Sequence, residues 1–237
     1  MHIGMIGGIG PAATEFYYRN LVRASQLSGN ATDLELTICH AHASDLIRNI
    51  QSNAVSEQVK IFEVLANRLK AAGADALVVT SIAGHFCISE LAKVSPIPII
   101  DALSGLESEL VKSGYGKVGV LGNKVVMETR LFNSLQNTDV VIPPDEHLDE
   151  VHEAYMSIAV SGTATKEQRN TIFQAGQKMC DDQGAQAIVL AGTDLFVAFD
   201  GYDCGFRYID SALVHIADIH HASLSKSDNK AMHATSA

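Results

Sequence analysis

The chain opens on Gly4-Met5-Ile6-Gly7-Gly8-Ile9-Gly10-Pro11-Ala12-Ala13-Thr14, a glycine-rich link between an apolar strand and a helix. Glycines permit tight turning and close backbone approach, and Pro11 suits the first position of a helix. Free N–H groups at such a helix start hold an anionic group, a carboxylate for instance. A dinucleotide is the obvious rival. The spacing departs from G-x-G-x-x-G, however, and the next strand ends Thr37-Ile38-Cys39-His40 with no acidic residue to hold a ribose. Four cysteines (Cys39, Cys87, Cys180 and Cys204) are scattered without a CxxC pair, which predicts reduced thiols in a cytoplasm. Cys39, at a strand end, is the one well placed to meet a ligand; the others read as small buried hydrophobes. Ten histidines invite a metal, and Cys39-His40-x-His42 share a loop. His215 and His220 stand five apart instead of four, so no metal site is expected.

The elements that must position these groups alternate between short apolar runs and longer helical patterns, which predicts an α/β fold with parallel sheets. Strands are expected at His2–Ile6, Leu34–Cys39, Ala76–Thr80 and Ile97–Ile100, with helices over Pro11–Ser25 and Ser56–Ala72. A second cycle follows, with strands at Lys117–Leu121, Asp139–Ile142 and Ala187–Leu190 and helices over Val126–Leu135, Lys166–Gln183 and Ser211–His221. The strands are continuous apolar runs, as expected when helices cover both faces. Gly4-Met5-Ile6-Gly7 recurs as Gly119-Val120-Leu121-Gly122, and Gly73–Val79 recurs as Gly184–Leu190, at offsets of 115 and 111 residues. Two pairs in order predict a duplicated unit, two pseudo-symmetric α/β domains with a ligand cleft at their facing strand ends. The first domain is expected to take residues 1–97 and 209–237, with 223–237 a frayed tail, and the second 98–208.

Composition narrows the function classes. With 27 acidic and 17 basic residues the formal charge is −10, which argues against nucleic acid as a partner. No apolar run is long enough to span a bilayer, and Met1-His2-Ile3-Gly4 runs into a strand with no basic flank or cleavage site. A cytoplasmic protein without membrane partners is expected.

The opening resembles the Gly-Gly-Met-Gly-Pro-x-Ala-Thr segment of the aspartate/glutamate racemases, with Ile9 in the methionine position. Further similar stretches are Ala72-Gly73-Ala74-Asp75, His85, Ile97-Pro98-Ile99-Ile100-Asp101, Met127-Glu128, Ile142-Pro143-Pro144, Thr193-Asp194, and Ile209-Asp210 leading to His215. The resemblance runs in order from residue 1 to about 222. It implies an isomerase, an amino-acid racemase working without pyridoxal phosphate, metal or any other cofactor, commonly as a homodimer. Its substrate is a small amino acid or carboxylate held between the domains. Two cysteines, one from each domain, flank the substrate Cα; one thiolate removes its proton and the other thiol returns one to the opposite face.

Both thiol positions are substituted here. Val79-Thr80-Ser81-Ile82-Ala83-Gly84-His85 stands where the family has Cys-Asn-Thr-x-His, which puts Ser81, or with a one-residue shift Thr80, in the first position. Ala191-Gly192-Thr193-Asp194 stands for Gly-Cys-Thr-Glu and puts Gly192 in the second. A hydroxyl is a far weaker acid than a thiol, and glycine has no side chain, so the two-thiol mechanism is not available. Proton transfer would then fall to His85 and Asp194, with Ser81, Thr80 and Thr193 in support. Gly8, Gly10, Thr14, Asn123, Gly192 and His215 match substrate-side positions, while Arg48 and Lys166 lie near family cations that clamp a carboxylate. Val126 replaces a family threonine and cannot donate a hydrogen bond. The alternatives are a catalytically silent protein that binds a carboxylate or amino acid, and lyase-type decarboxylation on the same fold.

Overall fold

The structure, a computed structural model, describes residues 1–29 and 34–224. Its first half holds β1 (His2–Gly7), α1 (Pro11–Leu27), β2 (Glu35–His40), α2 (Ala43–Gln51), α3 (Val55–Ala71), β3 (Ala76–Val79), a 3₁₀ turn (Ala83–Cys87), α4 (Ile88–Val94) and α5 (Ala102–Lys112). The second holds β4 (Lys117–Leu121), α6 (Lys124–Glu128), β5 (Asp139–Val141), α7 (Asp145–Ser161), α8 (Lys166–Gln183), β6 (Ala187–Leu190), α9 (Phe196–Phe199), β7 (Tyr208–Asp210) and α10 (Ser211–Leu224). Two parallel sheets result, in the orders β2-β1-β3 and β5-β4-β6-β7. The fold is α/β with two sheets, and the internal sequence repeat maps onto them: β1 lies between β2 and β3 as β4 lies between β5 and β6.

Packing explains why the repeated glycines recur. A Cβ on Gly4 would lie 2.9 Å from the Ala74 Cβ and 3.0 Å from the Leu69 Cβ, at the end of α3. A Cβ on Gly119 would lie 2.9 Å from Met179 Sδ on α8. In both halves side chains of the covering helix lie close over the backbone of β1 or β4, at Gly119 together with the Ile188 side chain of β6, so a side chain there would have to displace them.

Each half is closed by a helix from the other segment of the chain. Leu103, Leu106 and Leu110 of α5 pack in the core with Val118, Val120 and Leu190 of the second sheet. Ala212, Ile216 and Ile219 of α10 pack with Ile3, Met5 and Tyr17 of the first. β7 itself pairs with β6 in the second sheet, so the chain changes halves between Asp210 and Ala212.

Three expected elements come out differently. The strand expected at Ile97–Ile100 reduces to a single bridge between Ile99 and Leu77, because Pro96 and Pro98 have no N–H to give to a ladder. The helix expected over Val126–Leu135 stops at Glu128. There Thr129 turns its hydroxyl onto Val125 O (2.6 Å) and accepts from Phe132 N–H (3.1 Å), and Arg130 to Asn133 turn left-handed with φ of 49–58°. The expected tail begins too early, since Ser223 and Leu224 end α10; residues 225–237 lie outside the described residues. Helices α2, α5, α7 and α9 and strand β7 have no counterpart among the expected elements. No helix among the described residues is long and apolar enough to cross a membrane.

Candidate active site

The carboxyl ends of β1, β3, β4 and β6 open onto a cavity of about 450 Å³ between the two halves. Gly10, Ser81, Asn123 and Asp194 line it, one from the segment after each of those strands. Helices α2 and α7 form its walls. This is where a parallel sheet places ligands, because loops and helix starts converge at that edge.

Gly10 shapes the first side. It precedes α1 with φ 115°, and a Cβ there would lie 2.8 Å from Asp194 Oδ2. The anion expected at the start of α1 is therefore supplied by the chain itself. Ala13 N–H donates to Asp194 Oδ1 at 3.0 Å, a contact between residues 181 apart in sequence. The Tyr155 hydroxyl on α7 faces the same carboxylate and lowers its pKa. Burial nevertheless wins over both influences and pushes the Asp194 carboxyl up to about 6.

The threonines form a hydrogen-bonded seam behind this carboxylate. Gly8 N–H donates to Thr14 Oγ1 (2.8 Å), which lies 3.1 Å from Gly10 O and 3.3 Å from Thr80 Oγ1. Thr80 Oγ1 donates to Ile6 O at 3.2 Å, and Thr193 Oγ1 donates to Thr80 O at 3.3 Å, joining the two halves. Both Thr80 and Thr193 are buried, and neither lines the cavity. Ser81 does line it, and its Oγ accepts from Gly84 N–H at 3.3 Å. Asn123 also lines it while its Oδ1 accepts from Val126 N–H at 3.0 Å and so caps α6.

The histidines are placed otherwise than expected. His85 Nδ1–H donates to Ser81 O (2.7 Å) and Nε2 accepts from Ala102 N–H (3.3 Å) at the start of α5. Both nitrogens of the neutral ring are thereby occupied. Burial lowers its pKa, against the nearby Asp101 carboxylate 3.6 Å away. The ring faces a separate cavity beside Asp101 and does not meet Asp194. His215 is a core residue: Tyr17 OH donates to Nδ1 (3.0 Å) and Nε2–H donates to Ile100 O (2.9 Å). Burial, followed by the repulsion of His85 where that ring is protonated, holds it down to about 3.

The two expected cations do not reach the cavity. Arg48 points outward from α2 and pairs with Asp45 at 2.7 Å, its side chain 65% exposed. Lys166 follows the Thr165 cap of α8 and is exposed. Lys124 does line the cavity, but its Nζ goes to Asp149 at 2.7 Å. The cysteines are likewise elsewhere: Cys39 sits on β2 outside the lining, and burial pushes the Cys87 thiol up to about 12. No cluster of three or more His, Cys, Asp or Glu among the described residues is arranged to hold a metal.

Gly192 has a filled neighbourhood. A Cβ there would run into the Tyr155 ring, striking Cε2 first and lying 2.7 Å from Cζ and 2.9 Å from Cδ2. An aromatic ring thus occupies the space into which a side chain at this position would project. Sequence reasoning missed Tyr155 altogether, although the i, i+3, i+7 and i+10 spacing of Leu148, Val151, Tyr155 and Ile158 marks α7 as an amphipathic helix.

With that geometry in place, the sequence model of the Asp/Glu/Hydantoin racemase family matches residues 6–219, nearly all of the described chain. The chain belongs to this family. Solved structures of racemases share the fold of this family member. An aspartate racemase homologue from Pyrococcus horikoshii OT3 superposes with a TM-score of 0.76 at 23% identity, over 94% of this chain and 98% of its own. An aspartate racemase from Picrophilus torridus gives 0.75 at 22% identity, over 96% and 97%. A glutamate racemase from Francisella tularensis, solved with D-glutamate, gives 0.63 at 14% identity, over 97% and 82%. At such identities the likeness establishes the two-sheet architecture, and this racemase-family chain keeps it with serine and glycine at the positions where the motif resemblance implies thiols.

Proposed function

We propose that this family member is a racemase-type isomerase that moves a proton at the carbon next to the carboxylate of a small amino acid or carboxylic acid. The observation that carries the reading is Asp194: a carboxyl at the floor of the interdomain cavity, buried and pushed up to about 6, close to the pH at which a general base works best. Ionised, it accepts the Cα proton, the electron pair left behind passes into the substrate carboxylate, and a proton from solvent returned to the opposite face of Cα completes the inversion while Asp194 gives its own proton back to water. Ala13 N–H and the Tyr155 hydroxyl hold the base in one orientation, and Ser81 presents a hydroxyl from the opposite half. His85 acts as a positioning residue that ties the Ser81 turn to α5. The reading uses no cofactor and no thiol pair, and it takes the protein to be a cytoplasmic homodimer.

The test is Cα deuteration of single amino-acid enantiomers incubated with the protein in D₂O. Exchange should rise with pH through about 6 as Asp194 ionises, and Asp194→Asn should lower it at least a hundredfold. Exchange that survives Asp194→Asn removes Asp194 as the base. A silent carboxylate-binding protein is favoured by one observation, that Asp194 already satisfies α1 and Tyr155. Ligand binding with no exchange for any acid would decide for it.

A further inference from the structure

We infer that the ligand of the interdomain cavity carries an apolar side chain, as leucine or phenylalanine does, and is not a dicarboxylate. The inference rests on the reading of this cavity as the substrate site and extends it to a substrate class.

Leu46, Ile47 and Ile50 line the cavity from α2, Val125 from α6, and Met156 and Val160 from α7. Several of these are not explained by the core. Val160 is 80% exposed and Ile47 is only half-buried, yet both belong to one aliphatic lining about the same space. Aliphatic groups gathered from three helices about one opening, beside a small number of polar groups, are the pattern of a site that covers an apolar substituent and orients it by a few polar contacts.

Charge argues the same way. An aspartate or glutamate ligand brings a second carboxylate, which needs a cation or several N–H donors when it leaves water. Among the described residues lining the cavity, Lys124 is the one lysine or arginine, and its ammonium is paired with Asp149. Arg48 is paired with Asp45 on the outer face of α2. The ionisable acids that do line the cavity, Glu128 and Asp194, would repel a second carboxylate. The space itself, about 450 Å³, is roughly that of fifteen waters and accommodates a bulky substituent.

The experiment measures binding apart from turnover, by calorimetric titration of the full chain with leucine, phenylalanine, aspartate and glutamate. Burial of an isobutyl or benzyl group in an aliphatic site is expected to make leucine or phenylalanine bind about ten- to a hundredfold more tightly than aspartate or glutamate. Ile47→Ser should weaken the apolar ligands about tenfold. Ile47→Arg should bring in glutamate and lose leucine, with the unfolding midpoint recorded for each variant to exclude loss of fold. Tighter binding of aspartate or glutamate by the unaltered chain, no binding of leucine and phenylalanine at millimolar concentration, or equal affinities in the Ile47 variants would each overturn the inference. Apolar binding without Cα exchange would instead leave it standing and remove the isomerase reading, so the two failures are separable.

Discussion

Replacement of Gly192 by alanine probes how the Tyr155 ring fills the space beside this residue. The added methyl would meet the Tyr155 ring, with Cζ at 2.7 Å and Cδ2 at 2.9 Å, whereas ordinary carbon contacts begin near 3.5 Å. The ring must therefore retreat by about an ångström. It is only 6% exposed, so retreat strains the packing around it. Overpacking of this kind costs about 1–3 kcal/mol. Gly192 lies outside the left-handed region, so alanine adds no torsional strain. Tyr155→Ala alone should cost about 3–5 kcal/mol through the cavity it leaves. In the Tyr155→Ala background the ring is gone, and Gly192→Ala should then be neutral or stabilising by a few tenths of a kcal/mol, about the gain from a less flexible unfolded chain. The double-mutant cycle should thus show about 2 kcal/mol of coupling, measured by urea unfolding with the slope compared across the four proteins. Equal increments in the two backgrounds would refute the claim that Tyr155 fills this space. The same geometry predicts that Ser81→Cys with Gly192→Cys cannot restore a two-thiol site unless Tyr155 is also trimmed.

Asp194 makes stability depend on pH in a definite direction. Its folded pKa of about 6 lies above the ordinary 3.8, so the folded state binds the extra proton between them and stability falls as pH rises through that window. Asp194→Asn should therefore gain on the parent between about pH 4 and 6, by up to ~3 kcal/mol, in urea titrations at each pH. His215 works the opposite way: held at about 3 when folded against 6.5, it costs stability as pH falls below 6.5. The gap between His215→Gln and the parent should accordingly narrow in acid. Arg48→Ala should change ligand affinity less than twofold and stability by less than about 0.5 kcal/mol, because its pair with Asp45 is exposed. Asp101 accepts from Leu103 and Ser104 N–H at the start of α5, so Asp101→Ala should cost about 1 kcal/mol in thermal or urea unfolding.

Legibility in the sequence followed the range of the interactions. Lys117–Leu121, Lys166–Gln183 and Ala187–Leu190 form the elements expected there, because apolar runs and helical periodicity are local signals. The duplication was legible for the same reason, since Gly4 and Gly119 each answer to a helix packed on an inner strand. Short motifs also carried the family.

The use to which each polar group is put is a matter of contacts between distant segments. The start of α1 is ready for an anion by local geometry, but only the fold brings Asp194 there to occupy it. His85 has the chemistry of a base in any sequence listing of residue types; the packing of α5 is what takes up both of its nitrogens. Gly192 reads as a missing side chain, and the Tyr155 ring from α7 turns that absence into a filled space. Hydrophobic pattern and turn chemistry are properties of neighbouring residues, so they survive in the one-dimensional string. Hydrogen-bond satisfaction, burial and the pKa they impose depend on which remote atoms arrive, and those are decided only when the two sheets close on each other.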